Sequence, residues 1–374
     1  MERQTYCVPC LFGLEEPVGT ELRRMNMDAV QVENGRVLFE GDFSDMVRAN
    51  LWLRMGERVL LRLGRFPAES FEALFQGVRS LPLEQFVSRT GKLPVKGHCL
   101  NSKLHSVPDC QAIVKKAAAE RLGAHYGMSW LPETGETFQL QFSIMKDVAE
   151  VFLDTTGAGL HKRGYRAVGN DAPLRETLAA AMVEVAHWRG REFFWDPFCG
   201  SGTIVIEAAL IAKNRAPGLS RGFSAERWPC VEPQLWRRAR EAARDAEYHG
   251  EYRILGSDVD PKSLQIACSN AEKAGVDDCV RFEERDATKT ELPCEAGVLV
   301  CNPPYGERML EQRSAQRLYQ AFGRSLKNAD GWRKYVITSE PEFEYYFGQK
   351  AAKRRKLYNG MIQCNLYQFF ERRT

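Results

Sequence analysis

The chain has 374 residues, 44% hydrophobic and 27% charged, with a formal net charge of +3. That length asks for two or three domains, and that balance excludes a disordered chain and gives no global signal for nucleic acid. No apolar run reaches the length of a membrane span, and the opening "MERQTYCVPC" lacks a signal-peptide core, so a cytoplasmic protein is expected.

In chain order, "TYCVPCLFG" reads as a strand and "LEEPVGTELRRM" as a helix with Leu14, Val18 and Leu22 on one face. "AVQVENGRVLFEG" alternates around Asn34-Gly35, a strong hairpin signal, and "FSDMVRANLWLRM" is helical again. Residues 1–56 are therefore expected to form a small α+β unit. Residues 57–156 form a second. Here "RVLLRLGRF" and "KLPVKGHCL" read as strands, and "SFEALFQGVRSL" as a helix capped by Ser70. "DCQAIVKKAAAERLG" reads as a helix with Asp109 as N-cap and Gly123 just past its end, and "TFQLQFSIMKDVAEVFLDTTG" as a hairpin.

Eleven scattered cysteines, an odd count, point to reduced thiols. Cys7 and Cys10 form a lone C-x-x-C without a second ligand pair, so packed thiols are expected and a metal is not. Residues 157–170 form a polar, basic connector containing "HKRGYR", with the domain boundary placed near Asp171 and Pro173 just beyond. From 171 to 374 helical and apolar strand segments alternate. That pattern predicts a parallel sheet covered on both faces.

The chemistry concentrates at strand ends. "EFFWDP" is a short strand ending in Asp196. "CGSG" is a glycine turn and "TIVIEAALIA" an apolar helix, whose first N–H groups can receive a polar ligand. The turn is neither a dinucleotide fingerprint nor a phosphate loop. "YRILGSDVD" ends in Asp258, placed as such acids are when they accept from ribose hydroxyls. "CVRFEERDAT" ends in Asp286, and "GVLVC" runs into "NPPYGER". Two adjacent prolines can neither pair in a sheet nor continue a helix, so Asn302 to Tyr305 form a stiff ledge at a strand end. Each acid alone is more often a helix cap. Their recurrence at successive strand ends, where open α/β sheets bind ligands, argues for a site.

With "HKRGYR", "APLRETLAAAM", "DPFCGSGTIVIEAA", "SDVDPKSL", "RDAT" and "NPPYGER" in one chain, behind "SFEALFQGVRSLP" and "SKLHSVPDCQAIVKKA", the sequence resembles a known family. It is similar to the THUMP-domain class I S-adenosylmethionine-dependent RNA guanine-N2 methyltransferases, of the bacterial large-subunit ribosomal RNA type. The resemblance implies a ferredoxin-like unit, a THUMP domain and a Rossmann-like domain with a seven-stranded, mostly parallel sheet. It implies S-adenosylmethionine as methyl donor, with S-adenosylhomocysteine as product. Asp196, Pro197, Cys199, Gly200, Ser201, Gly202 and Thr203 would hold its methionine part. Asp258 and Val259 would take the ribose side, Asp286 and Ala287 the adenine. Asn302, which also belongs to the cofactor wall, would act with Pro303, Pro304 and Tyr305 in catalysis. The Asn302 amide and Pro303 carbonyl would accept hydrogen bonds from the target amine, and Tyr305 would stack on a base taken out of its helix.

RNA is the expected partner, 23S ribosomal RNA or an assembly intermediate of the ribosome. Candidate contacts are Lys103, Lys115, Lys116, Lys162, Arg163, Tyr165, Arg166 and Arg308, because phosphates call for cations and bases for aromatics. "KRRK" at 353–356 reads as a solvated face. Residues 214–250 are an insertion that the family also has. Two alternatives stay open: a tRNA guanine-N2 methyltransferase, and a non-catalytic RNA-binding protein that keeps the fold. A fragment beginning near Lys162 is expected to bind cofactor and lose most RNA affinity.

Overall fold

A computed structural model describes residues 3–166, 174–289, 291–305 and 309–370, the side chains of 309 and 310 excepted. The expected boundary at Asp171, Pro173 and the Gly306–Arg308 end of the ledge motif lie outside the described residues.

The first half is a single seven-stranded sheet with helices packed on it. Its elements are β1 (Gln4–Pro9), α1 (Glu15–Arg24), β2 (Asp28–Glu33), β3 (Arg36–Gly41), α2 (Phe43–Trp52), β4 (Leu60–Pro67), α3 (Phe71–Arg79), β5 (Val95–Leu100), α4 (Val107–Tyr126), β6 (Leu140–Met145) and β7 (Val148–Asp154). Strand order is β2-β3-β1-β4-β7-β6-β5. Asn34-Gly35 does make the hairpin: Glu33 pairs with Arg36, and Gly35 takes φ 75°. The sheet is continuous across residue 56, because β1 pairs with β4 at Tyr6↔Leu61 and Cys7↔Leu60. Cys7 and Cys10 are buried in it, and burial pushes both thiols up to about 12, as packed thiols require.

The helix assigned to Asp109–Gly123 is longer than its sequence signals. It begins after Ser106 with Pro108 in the first turn, and it ends at Gly127 in a left-handed cap. Gly123 lies inside it, where a Cβ would sit 2.7 Å from the Met128 carbonyl oxygen. Its smallness serves close packing, not termination.

The second half contains α5 (Glu176–Val185), β8 (Phe194–Asp196), α6 (Thr203–Ala212), α7 (Pro233–Asp245), β9 (Ile254–Asp258), α8 (Pro261–Ala274), β10 (Val280–Glu284), β11 (Gly297–Cys301), α9 (Met309–Ser325), β12 (Trp332–Thr338), α10 (Phe343–Phe347), β13 (Lys353–Asn359) and β14 (Ile362–Phe369). The sheet runs β10-β9-β8-β11-β12-β14-β13. β10 to β12 are mutually parallel, and β14 is antiparallel to both its neighbours. This is the expected seven-stranded, mostly parallel sheet. β11, GVLVC, is buried throughout, as a central parallel strand must be. No helix among the described residues is long and apolar enough to cross a membrane.

The 214–250 insertion is the joint between the halves. α7 packs against α2, the Gly218 N–H donates to the Leu51 carbonyl at 2.9 Å, and Trp228 stacks on Phe138 at 5.5 Å. The Ala225 and Ser224 N–H groups extend the end of β7 through the Thr155 and Thr156 carbonyls.

Candidate active site

The carboxyl ends of β8, β9 and β11 open into one cavity of about 630 Å³. Its walls include Asp196 to Ser201, Thr203, Asp258, Val259, Asp286, Ala287 and Asn302 to Tyr305. Of the residues expected to hold cofactor or target, only Gly202 does not face it. Gly202 sits behind the turn as the N-cap of α6, at φ 85°.

The turn is built for close approach. Gly200 takes φ 50°, and a Cβ there would meet nothing within 4 Å. The positive φ and the open ground above it leave the backbone accessible to a ligand. The Cys199 N–H donates to the Ser257 carbonyl at 2.9 Å, and buried Asn270 donates to the Ser201 carbonyl at 3.0 Å. Trp195 braces β8 to β9 through its indole N–H to Ser257 Oγ at 2.9 Å.

Asp258 ties the second strand end to this turn. Its Oδ2 accepts from the Gly200 N–H at 2.9 Å and its Oδ1 from the Asp260 N–H at 3.0 Å. Val259 beside it is 62% exposed, an apolar face at the cavity wall. Asp286 accepts from the Thr288 hydroxyl and N–H and pairs with Lys289 at 3.0 Å, which holds its carboxyl below the usual range. These residues fit S-adenosylmethionine: an open glycine turn, an acid at the ribose position, an apolar wall and a second acid. We expect Asp258→Ala to weaken S-adenosylhomocysteine binding by on the order of 10–100-fold, from lost charge-assisted hydrogen bonds and a slackened turn. Calorimetry on the folded variant checks this, and unchanged affinity would overturn the placement.

Asp196 differs from the other acids because it is fully buried. Burial raises its carboxyl well above the ordinary range, against one N–H from Phe198 at 3.0 Å. An acid raised on folding contributes fully below its unfolded value and loses that contribution as pH climbs towards its folded value. Asp196→Asn should therefore melt higher than the parent at pH 8, with the difference shrinking towards pH 4. A melting-temperature difference that does not change with pH would contradict the buried carboxyl.

The ledge is held from below. Buried Tyr319 of α9 donates to the Pro304 carbonyl at 2.6 Å and lies 3.1 Å from Thr338 Oγ1 on β12. The Tyr305 hydroxyl donates to Asn302 Oδ1, and burial raises it further from ionisation, with Cys364 and Asn359 close by. Asn359, Gly360 and Ile362, from the turn between β13 and β14, complete the wall. Neither Tyr319 nor this turn is visible as functional in the sequence.

The expected RNA contacts divide. Lys116 is exposed over the Phe75 ring, Lys103 is exposed beside Glu69, and Lys115 is half-buried against Glu133. None of the three lines the cavity. Lys162 is exposed. Arg163 and Tyr165 are corrected by the structure: both are buried, 3% and 2% exposed, and turn inward to Glu207 of α6. A charge in that apolar helix needs a partner, and the connector supplies it. Arg166 is half-buried and donates to Thr203 Oγ1 at 2.5 Å and to the Leu174 carbonyl, so it braces the cofactor turn. Arg308 lies outside the described residues.

A parallel sheet with a glycine turn after its first strand, acids at the next strand ends and Asn-Pro-Pro-Tyr after the fourth defines a class I S-adenosylmethionine-dependent methyltransferase. Residues 163–368 match the model of the RMKL-like methyltransferase domain, 5–60 that of the RlmL ferredoxin-like domain and 68–154 that of the THUMP domain. The chain belongs to the RMKL-like methyltransferase family.

It is 42% identical to YpsC of Bacillus subtilis (strain 168), provisionally named an RNA methyltransferase, over 100% of this chain and 97% of that one. It is 34% identical to the ribosomal RNA large subunit methyltransferase K/L of Psychromonas ingrahamii, covering 97% of this chain and 49% of that protein, about half its length. Among solved structures, SMU.472 in complex with SAH superposes with a TM-score of 0.93 at 40% identity over 100% of both chains. A Listeria monocytogenes protein described as an N6-adenine-specific DNA methylase superposes at 0.94 with 44% identity, over 99% of this chain and 97% of that one.

Proposed function

We propose that this chain methylates the exocyclic N2 amine of a guanine in structured RNA, with large-subunit ribosomal RNA as the substrate. The observation that carries this is the Asn302–Tyr305 ledge opening into the same cavity as the glycine turn and Asp258. When bound there, S-adenosylmethionine supplies an electrophilic methyl group on a sulfonium.

The protein's part is alignment. Asn302 Oδ1 and the Pro303 carbonyl accept hydrogen bonds from the target amine, turning its lone pair towards the cofactor side of the cavity. Acceptor oxygens fixed in place also ease the positive charge that grows on the amine. The extra proton then leaves to water, so no strong base is required. A base inside a helix cannot reach this pocket, so the nucleotide is extruded against Tyr305. The Tyr305 hydroxyl donates to Asn302 Oδ1, the same acceptor that the target amine would use.

The N-terminal half, through its THUMP domain and surface lysines Lys103 and Lys116, and the connector through Lys162, hold the RNA around the target. The relatives named for ribosomal RNA favour that substrate over tRNA, and the ledge favours an enzyme over a binding protein that keeps only the fold. The Listeria neighbour's description keeps one second reading, adenine N6, since two acceptors suit either amine. Methylation of ribosomal RNA from a strain lacking the gene, read by mass spectrometry, decides: N2-methylguanosine is expected, and N6-methyladenosine would replace the target assigned here.

A further inference from the structure

The KRRK segment, read from sequence as a solvated face, lies on β13, the outermost strand of the second sheet. β13 runs parallel to β11, because it reaches the sheet through the antiparallel β14. Its end therefore lies at the same carboxyl edge as the ledge.

Asn359 pairs with Ile362, leaving Gly360-Met361 as a two-residue turn, and Gly360 takes φ 63° as the first position of a tight hairpin loop. Met361 is 98% exposed. One exposed apolar side chain is ordinary. The position of this one is not, since Gly360 and Ile362 on either side of it both line the cavity. Beside this same end β13 approaches the first half, where Phe12 meets the Tyr358 ring edge-on at 6.4 Å. Arg354 is engaged by Glu344 and lies over Tyr367, whereas Lys353 and Lys356 are exposed, Lys356 with its ammonium 5.5 Å from the Tyr358 ring centre. A basic strand thus leads to the mouth of the catalytic cavity, meets the first half there, and ends in an unbranched apolar side chain on a stiff turn.

We propose that Met361 enters the base step vacated by the target nucleotide, and that Lys353 and Lys356 follow the RNA backbone towards it. Apolar wedges of this kind offset the unstacking that extrusion requires. The proposal rests on the reading of an RNA substrate with an extruded base.

The test compares single-turnover methylation by the full chain and Met361→Ala on two RNAs carrying the site mapped with the parent enzyme, one with the target base stacked in a helix and one with it unpaired. We expect Met361→Ala to be slower by roughly 10–100-fold on the helical RNA, because the unstacking is then left without an apolar replacement. The deficit should nearly vanish on the unpaired RNA, with S-adenosylhomocysteine affinity unchanged. No deficit, or an equal deficit on both RNAs, overturns the wedge. Replacing Lys353 and Lys356 by Gln should shallow the slope of log affinity against log salt by about 1–2, and an unchanged slope removes the backbone contact. If the parent methylates a base other than guanine, the target assigned above fails, while the ratio between the two RNAs still judges Met361.

Discussion

Asn302→Ala is expected to bind S-adenosylhomocysteine nearly as the parent does and to transfer methyl about 10²–10³ times more slowly, the range for removing one preorganised polar group. The groups proposed to hold the cofactor lie on the β8 and β9 ends, and the hydrogen bonds that fix them do not involve Asn302. The ledge also keeps its shape without the amide, because Tyr319 grips the Pro304 carbonyl and the prolines fix their own torsions. The loss should therefore appear in the chemical step, with little change in melting temperature. Tyr305→Phe is the companion. It keeps the ring and removes the hydroxyl that caps Asn302, so its rate should stay far closer to the parent's than that of Asn302→Ala. If Asn302→Ala instead lost stability and cofactor affinity together, the residue would be a strut, and the acceptor role would fall.

The strand-end acids were legible because each closes a short strand-like run, apolar before Asp196 and Asp258 and mixed before Asp286, and a parallel sheet sends such ends to one edge. What stayed hidden depends on contacts between distant segments. "HKRGYR" looks the same whether it faces phosphate or protein. Only the lone Glu207 inside "TIVIEAALIA", 44 residues from Arg163, hints that a cation must come inward. Tyr319 has no local mark, since its role comes from α9 packing beneath a loop fifteen residues earlier. The hairpin tip was hidden for a topological reason: its place beside Asn302 follows from β13 lying parallel to β11, which hydrophobic patterning does not encode. The insertion reads in sequence as part of the second domain, and only its contacts with α2 and the end of β7 show that it is also the joint.

That joint alters what a division of the chain should do. Arg163 has Glu207 on two of its nitrogens at 3.2 Å, and also donates to the carbonyls of Leu160, Leu53 and Arg54, so one buried guanidinium links the connector, the first half and α6. Arg163→Ala leaves Glu207, 0% exposed, without its ion-pair partner. Stranding a buried charge costs about 3–5 kcal/mol, and a domain of this size loses about 2–4 °C per kcal/mol. Arg163→Ala should accordingly melt on the order of 10 °C lower, while Arg163→Met combined with Glu207→Leu recovers most of the loss, since apolar residues can replace a buried pair. Calorimetric melting of the three proteins checks this, and a single variant as stable as the parent would remove the pair from the joint. The same contacts predict that a fragment beginning near Lys162 fails to fold well. It would lose the Leu53 and Arg54 carbonyls that Arg163 needs, the Leu51 carbonyl that fixes Gly218, and the Phe138 ring that covers Trp228. On the proposed reading the two halves divide the work of binding and chemistry, but the second half carries its own side of a buried interface, so cofactor binding should survive point changes on the first half's surface lysines and not the removal of that half.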